Sequence, residues 1–193
     1  MIINTPNKEE VNYYLKKWKT LDRYVLQESS LDKLFLKTYT KNTKMDNVLI
    51  KVCSLNDFYS TNIFSPFSVA KHIVRLNIDK YLDKDNLDIV NKISKVRMNG
   101  GNIKHFYSFA TKYCSHHKSE VYPIYDYYVE KMLMYFKKLD EFDNFKKEDL
   151  RDYIKFKDAL NNFRNFYNLK KFNLKQIDVY LWLAGKRYFP KKY

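Results

Sequence analysis

The feature that most limits what this chain can fold into is its shortage of backbone breakers: three glycines and four prolines in 193 residues. Strand-to-strand corners draw on Gly, Pro and Asn-Gly-like pairs, so there is little turn material for a many-stranded sheet. Long helices joined by a few loops need far less of it. Hydrophobic residues make up 45% of the chain and aromatics 18%, with 18 Tyr and 14 Phe. That content fits a folded protein with one sizeable core, or two small lobes.

Apolar spacing agrees with a helical reading. In "TPNKEEVNYYLKKWKTLD", Thr5 and Pro6 take N-cap and N1 positions, and Val11, Tyr14, Leu15, Trp18 and Leu21 recur at helical intervals. Leu31, Leu34 and Phe35 share a face, as do Val48, Leu49, Val52 and Cys53. Ser65-Pro66 opens a helix whose inward residues are expected to be Phe67, Val69, Ala70, Ile73 and Val74. "NGGN" at 99–102 is the paired-glycine turn, and "SHHKSEVYPIY" is a loop separating two further helices. The last helix is expected to stop at Gly185 as a C′ residue. The pattern predicts an all-α protein of about nine helices with no convincing strand.

Lys and Arg number 36 against 22 Asp and Glu, a net charge of +14. Between Lys146 and Tyr193, thirteen basic residues face five acidic ones. Such an excess suits a polyanionic partner, because each cation set against a phosphate releases condensed counterions. Two cysteines, Cys53 and Cys114, are too few for a disulfide framework and read as buried thiols in a reducing compartment. Cys114, His116 and His117 fall short of a zinc pattern, and the two histidines read as structural loop or DNA-facing residues. The N-terminus lacks a secretion-signal pattern, and no stretch approaches the roughly 20 apolar residues of a membrane helix. The expectation is a soluble protein of the cytoplasm.

The chemistry-bearing stretch is "YPIYDYYVEKMLMYF", in which Asp126 stands where a helix begins, just past Pro123. A carboxylate there accepts backbone N–H bonds and stays ionised easily. It is also what a sugar carbon becoming oxocarbenium-like requires beside it. Position alone leaves both roles open. Ser108, in "FYSFATKYC", lies eighteen residues earlier. Phe58 and Tyr59, and Tyr127 and Tyr128, are candidates for a base-stacking pocket, although aromatics at helical spacing more often form core.

This order of turn, helix, short loop, apolar-Pro-apolar, Asp and helix resembles the helix-hairpin-helix DNA glycosylase superfamily, and "YPIYDYYVEKM" is similar to the segment in its adenine-DNA glycosylases. The resemblance implies two helical lobes around a cleft: a core lobe over 43–136, the other from 1–42 and 137–193. It implies Asp126 as the catalytic carboxylate and Ser108 in the nucleophile position, without the lysine of bifunctional members. The expected activity is therefore monofunctional base excision on double-stranded DNA by a nucleoid-associated monomer that needs no cofactor or metal. "VCSLND" resembles the helix end at which 8-oxoguanine glycosylases carry an Asn that fills the gap left by the extruded base, which would be Asn56. The family's hairpin glycines fall here on Lys104 and Phe106. The hairpin is therefore expected to be lengthened or shifted onto Gly100 and Gly101, with Asn102, Ile103 and Lys104 forming a phosphate-facing helix start and His105 beside them. Two other readings stand beside this one. The chain is then a non-catalytic DNA- or RNA-binding helical module with Asp126 only a cap, or a basic helical protein with an acidic protein partner.

Overall fold

The computed structural model describes residues 3–98 and 100–190, so Asn99 of the "NGGN" turn lies outside the described residues. In chain order the helices are α1 (Lys8–Trp18), α2 (Asp22–Lys33), a π-helical turn (Leu34–Thr38), α3 (Met45–Tyr59), α4 (Pro66–Leu76), α5 (Asp79–Leu82) and α6 (Asp88–Ser94). Strands β1 (Lys95–Arg97) and β2 (Ile103–His105) follow, then α7 (Tyr107–His117), α8 (Tyr127–Asp140), a 3-10 turn (Lys147–Arg151), α9 (Tyr153–Phe166) and α10 (Leu174–Tyr188). The fold is mostly helical, as the scarcity of turn residues requires. The correction is the antiparallel β1–β2 pair, which the helical spacing did not anticipate. No helix among the described residues is long and apolar enough to cross a membrane.

Helix starts are set by short polar side chains. Asn7 caps α1 by accepting the Glu10 N–H at 2.8 Å, two residues beyond the expected Thr5. Asp152 caps α9 and Asn173 caps α10, the latter in a reciprocal box with Gln176. Helix ends show the lack of glycine. The left-handed residues closing α3, α4 and α8 are Ser60, Asn77 and Glu141, with φ of 49°, 48° and 51°. Glycine would adopt that conformation without crowding its own Cβ.

The chain divides into two compact units, Met1–Val25 with Pro123–Tyr193, and Leu26–Tyr122. These divisions lie at 25/26 and 122/123, whereas the glycosylase resemblance implies 42/43 and 136/137. In the first unit α10 packs on α8 and α1 around Val11, Tyr14, Val129, Phe136, Ile177 and Leu181, all essentially inaccessible. The Trp182 ring meets Trp18 and Tyr24 edge-on at 5.9 and 5.1 Å, and Lys186 Nζ lies 4.6 Å over it while donating to Tyr24 Oη. Gly185 is interior to α10, not its C′ residue. A Cβ there would stand 2.7 Å from the Tyr128 Cβ and 2.9 Å from its carbonyl oxygen, so α8 and α10 touch only because residue 185 has no side chain.

In the second unit α7 is central, packed on α6, α3 and the π-helical turn, and nine of its residues from Tyr107 to His116 are buried. α4 packs on α3, α6 and β1, burying Val69, Ala70 and Ile73. Phe67 and Cys53, expected inward, are exposed. His116 and His117 close α7 and are not loop residues.

Candidate active site and nucleic-acid interface

The predicted hairpin between α6 and α7 is a β-hairpin. Lys95 pairs with His105, Val96 with Lys104 and Arg97 with Ile103, and the Phe106 N–H closes its base on the Ser94 carbonyl at 2.8 Å. At the tip, the Gly101 N–H donates to the Met98 carbonyl at 2.9 Å, and Gly101 holds φ +82°, a conformation its lack of Cβ permits. The expected helix start at Asn102, Ile103 and Lys104 is therefore corrected: Ile103 to His105 form β2, and α7 begins at Tyr107. The cause is local, since paired backbone groups satisfy these amides across the hairpin. Val96 is buried and anchors the pair, whereas Lys95, Arg97, Gly100, Gly101, Asn102, Ile103, Lys104 and His105 are exposed. The result is a small projecting ribbon with cations on both strands and no acidic residue.

Ser108 is half-buried on the first turn of α7. Lys112, one turn later and almost inaccessible, reaches back so that Nζ donates to Ser108 Oγ at 2.6 Å. The amine lies 5.3 Å over the Tyr59 ring. Tyr59 Oη is 3.0 Å from His116 Nε2, and His116 Nδ1 is 3.2 Å from Asp32 Oδ1. A carboxylate only accepts, so neutral His116 carries its proton on Nδ1 and accepts a hydrogen bond from the Tyr59 hydroxyl at Nε2. Thus Tyr59, expected as part of a stacking pocket, is held in a polar line from Asp32 to the Ser108–Lys112 pair, and Phe58 beside it is half-buried. The i, i+4 spacing of Ser108 and Lys112 was the signal for their meeting. The burial of Lys112 carries no sequence mark, because lysine is rarely buried.

A second buried lysine has a structural assignment. Lys51 Nζ donates to the Tyr39 and Lys41 carbonyls at 3.0 and 3.2 Å and to Asn42 Oδ1 at 2.5 Å. Asn42 in turn donates its N–H and Nδ2 to the Asp79 carboxylate at 2.9 and 2.6 Å, and its Oδ1 accepts from Tyr113 Oη at 2.6 Å. Burial, opposed by Asp79, lowers the Lys51 pKa to about 8. His117 sits against Phe35 and Tyr113 beside Asn42, and burial followed by the nearby Lys51 charge pushes its pKa down to about 3. The Lys51 amine, with its three donors used, fastens the loop after the π-helical turn to α3, and Asn42 carries the tie on to α5 and α7.

Asn56 lies near the end of α3. Its Oδ1 accepts from the Ile63 N–H at 2.9 Å and from Thr61 Oγ1 at 2.8 Å, and its Nδ2 donates to the Ile63 carbonyl at 3.2 Å. Both ends of the amide are committed to the following loop.

Asp126 belongs to the first unit and is the N-cap of α8. Its Oδ1 accepts both the Tyr128 and Val129 N–H groups at 2.9 Å. The approach to the cap is fixed, because Tyr153 Oη donates to the Pro123 carbonyl at 2.8 Å and the Tyr125 hydroxyl donates to buried Glu130. Lys147 and Arg151 face the Glu130 carboxylate at 3.4 and 3.7 Å. Tyr127 is exposed and edge-on to Tyr128 at 5.3 Å, and Tyr128 is pinned by Gly185. Two amide donors and a helix N-terminus favour an ionised Asp126, a stable negative charge at a defined point.

Residues 10–121 match the family model described as HI_0787_N, N-terminal domain, and the chain belongs to this family. An uncharacterized protein of Haemophilus influenzae is 48% identical over 151 residues, a match covering 78% of this chain and 72% of the relative. No solved structure matches. The matched range takes in Asn56, the hairpin, Ser108 and Lys112, and ends before Asp126.

Proposed function

We propose that this protein is a DNA glycosylase that hydrolyses the N-glycosidic bond of a damaged or modified base turned out of duplex DNA. The observation that carries the reading is Asp126, a carboxylate fixed by two backbone amides at a helix start, eighteen residues beyond a half-buried Ser108. As the base departs, the sugar carbon gains positive charge, which an ionised, preorganised carboxylate stabilises while orienting the attacking water. The exposed cations of the hairpin, Lys95, Arg97 and Lys104, neutralise phosphates. Tyr127, exposed next to Asp126, is the aromatic ring that stacks on the displaced base. Ser108 carries a hydroxyl where a lyase would carry an amine, so the product is an intact strand with an abasic site.

The test is to incubate duplexes bearing different damaged or naturally modified bases with the protein and then cleave with alkali. Strand breaks that require alkali and vanish in Asp126→Asn are expected. Survival of every base refutes the enzyme reading. A second reading, a non-catalytic duplex binder, is favoured by one observation: the turn before α7 is a cationic β-ribbon in place of a glycine hairpin. It is distinguished by Asp126→Asn binding DNA unchanged with no base released by either protein.

A further inference from the structure

Phe64 is 91% exposed, and Phe67, three residues on, is 56% exposed. An isolated surface phenylalanine needs no explanation, but this one is mounted on a braced loop. On its N-terminal side, Ser60 and Asn62 hold left-handed φ of 49° and 57°, which a short loop of ordinary residues keeps only when its surroundings enforce it. Here the enforcement is the Asn56 amide, bonded three times to Thr61 and Ile63, and the burial of the Ile63 side chain. On its C-terminal side, Ser65 Oγ meets Ser68 Oγ at 2.9 Å and Pro66 starts α4. Phe64 stands between two anchors, with its ring in solvent.

The helix that follows is polarised. Phe67, Lys71 and Arg75 recur every four residues on the exposed face of α4, spaced about 6 Å apart along its axis. α4 contains no acidic residue. It packs on β1, so the cationic hairpin is its neighbour in the same unit. The opposite side of α4 is buried, which leaves no continuous apolar stripe of the kind a membrane-surface helix lays into lipid. An aromatic tip followed by a row of cations fits a stacked polyanion: the ring enters between bases and the cations meet backbone phosphates.

We propose that the loop between α3 and α4 is the element that enters duplex DNA, with Phe64 as the wedge that fills the stack vacated by a base. Lys71 and Arg75 are its phosphate contacts, and Asn56 acts by bracing the loop rather than by entering the duplex itself. This rests on the duplex-binding part of the proposed function and not on its bond-breaking step. A planar ring replaces lost stacking on both neighbours, which a small amide already bonded to its own loop does not.

The experiment uses the full chain and a short duplex carrying the fluorescent base pyrrolocytosine opposite a tetrahydrofuran abasic analogue, which has no base to release; a ring entering the vacated stack displaces this orphan base. Binding should raise the fluorescence as the reporter unstacks. Phe64→Ala should bind several-fold more weakly than the parent and, at saturating protein, lose most of the rise, and Phe64→Trp should restore it. Lys71→Gln with Arg75→Gln should lower the slope of log affinity against log salt by about 2 and keep the rise at saturating protein. The proposal is overturned if Phe64→Ala unstacks the reporter as the parent does, if the parent binds without unstacking it, or if the parent binds phosphatidylserine vesicles and not duplex. All positions changed are exposed, and matching circular dichroism confirms that the variants fold. Because no glycosidic bond is at stake, a protein that releases no base but unstacks the reporter through Phe64 fails the enzyme reading and passes this one.

Discussion

Gly185 and Tyr128 are in direct backbone-level contact: a methyl group on residue 185 would overlap the Tyr128 Cβ at 2.7 Å. In an unencumbered helix, Gly→Ala gains roughly 1 kcal/mol of helix propensity. Here the sign reverses, because the clash is with backbone and Cβ atoms that have no rotamer to escape into. Gly185→Ala is expected to destabilise the protein by roughly 1–3 kcal/mol in urea unfolding. Since the Tyr128 N–H holds Asp126, on the proposed glycosylase reading the same variant should reduce base release more than it reduces DNA affinity.

Asp126 separates cap from catalyst by substitution. Asparagine caps helices about as well as aspartate, so Asp126→Asn should change stability by no more than roughly 0.5 kcal/mol, whereas Asp126→Ala should cost about 1 kcal/mol. If the carboxylate acts in catalysis, both variants lose base release alike, despite their different stabilities. Parallel measurement of thermal unfolding and alkali-revealed strand breaks checks this.

The hairpin makes an electrostatic prediction. Lys95→Gln, Arg97→Gln and Lys104→Gln should each lower the salt slope of DNA affinity by about 1, with little effect on stability, because all three side chains are exposed. Filter binding across a salt series gives the slopes, and unchanged slopes would remove the ribbon from the interface.

His117 and Lys51 set opposite edges of the pH–stability profile. The folded state holds the His117 proton less tightly than the unfolded chain, so between about pH 6.5 and 3 the unfolded state binds more protons and stability falls with acidification. A loss of about 1–3 kcal/mol is expected over that range. By the same logic Lys51, lowered to about 8, makes stability rise as pH climbs from about 8 toward 10, until tyrosine ionisation reverses it. Urea midpoints at fixed ionic strength measure both limbs, and Lys51→Met should erase the alkaline rise.

The parts of the fold legible in sequence are those fixed locally. Asp126 followed by apolar residues at helical spacing announces a cap and α8, and both are present. What escaped depended on partners distant in sequence. Two three-residue strands are too short for an alternating pattern to register, and Val96 reveals its role only by its burial under α4. Phe67 fits an inward helical phase, but Val69, Ala70 and Ile73 already fill that face, leaving the ring outside. Gly185 reads as a helix stop until the crossing of α8 explains why a side chain is missing there. Lys51 and Lys112 carry no sequence mark of burial, since what makes burial tolerable is a set of carbonyls and hydroxyls that only the folded chain assembles.

The helix ends closed by Ser60, Asn77 and Glu141 bear on more than local geometry. Ser60 and Glu141 keep an L-residue in a conformation that crowds its Cβ by roughly 1–2 kcal/mol, and Asn77, whose short amide tolerates that region, does so at a smaller cost. Together with Asn62, Asp85 and Asn168, which share that φ region, they form a reserve of tension spread around the molecule. A chain written with so few glycines therefore folds somewhat below the stability its core would allow. Glycine at 141, which closes α8 at the end opposite Asp126, is a direct route to a hardier protein.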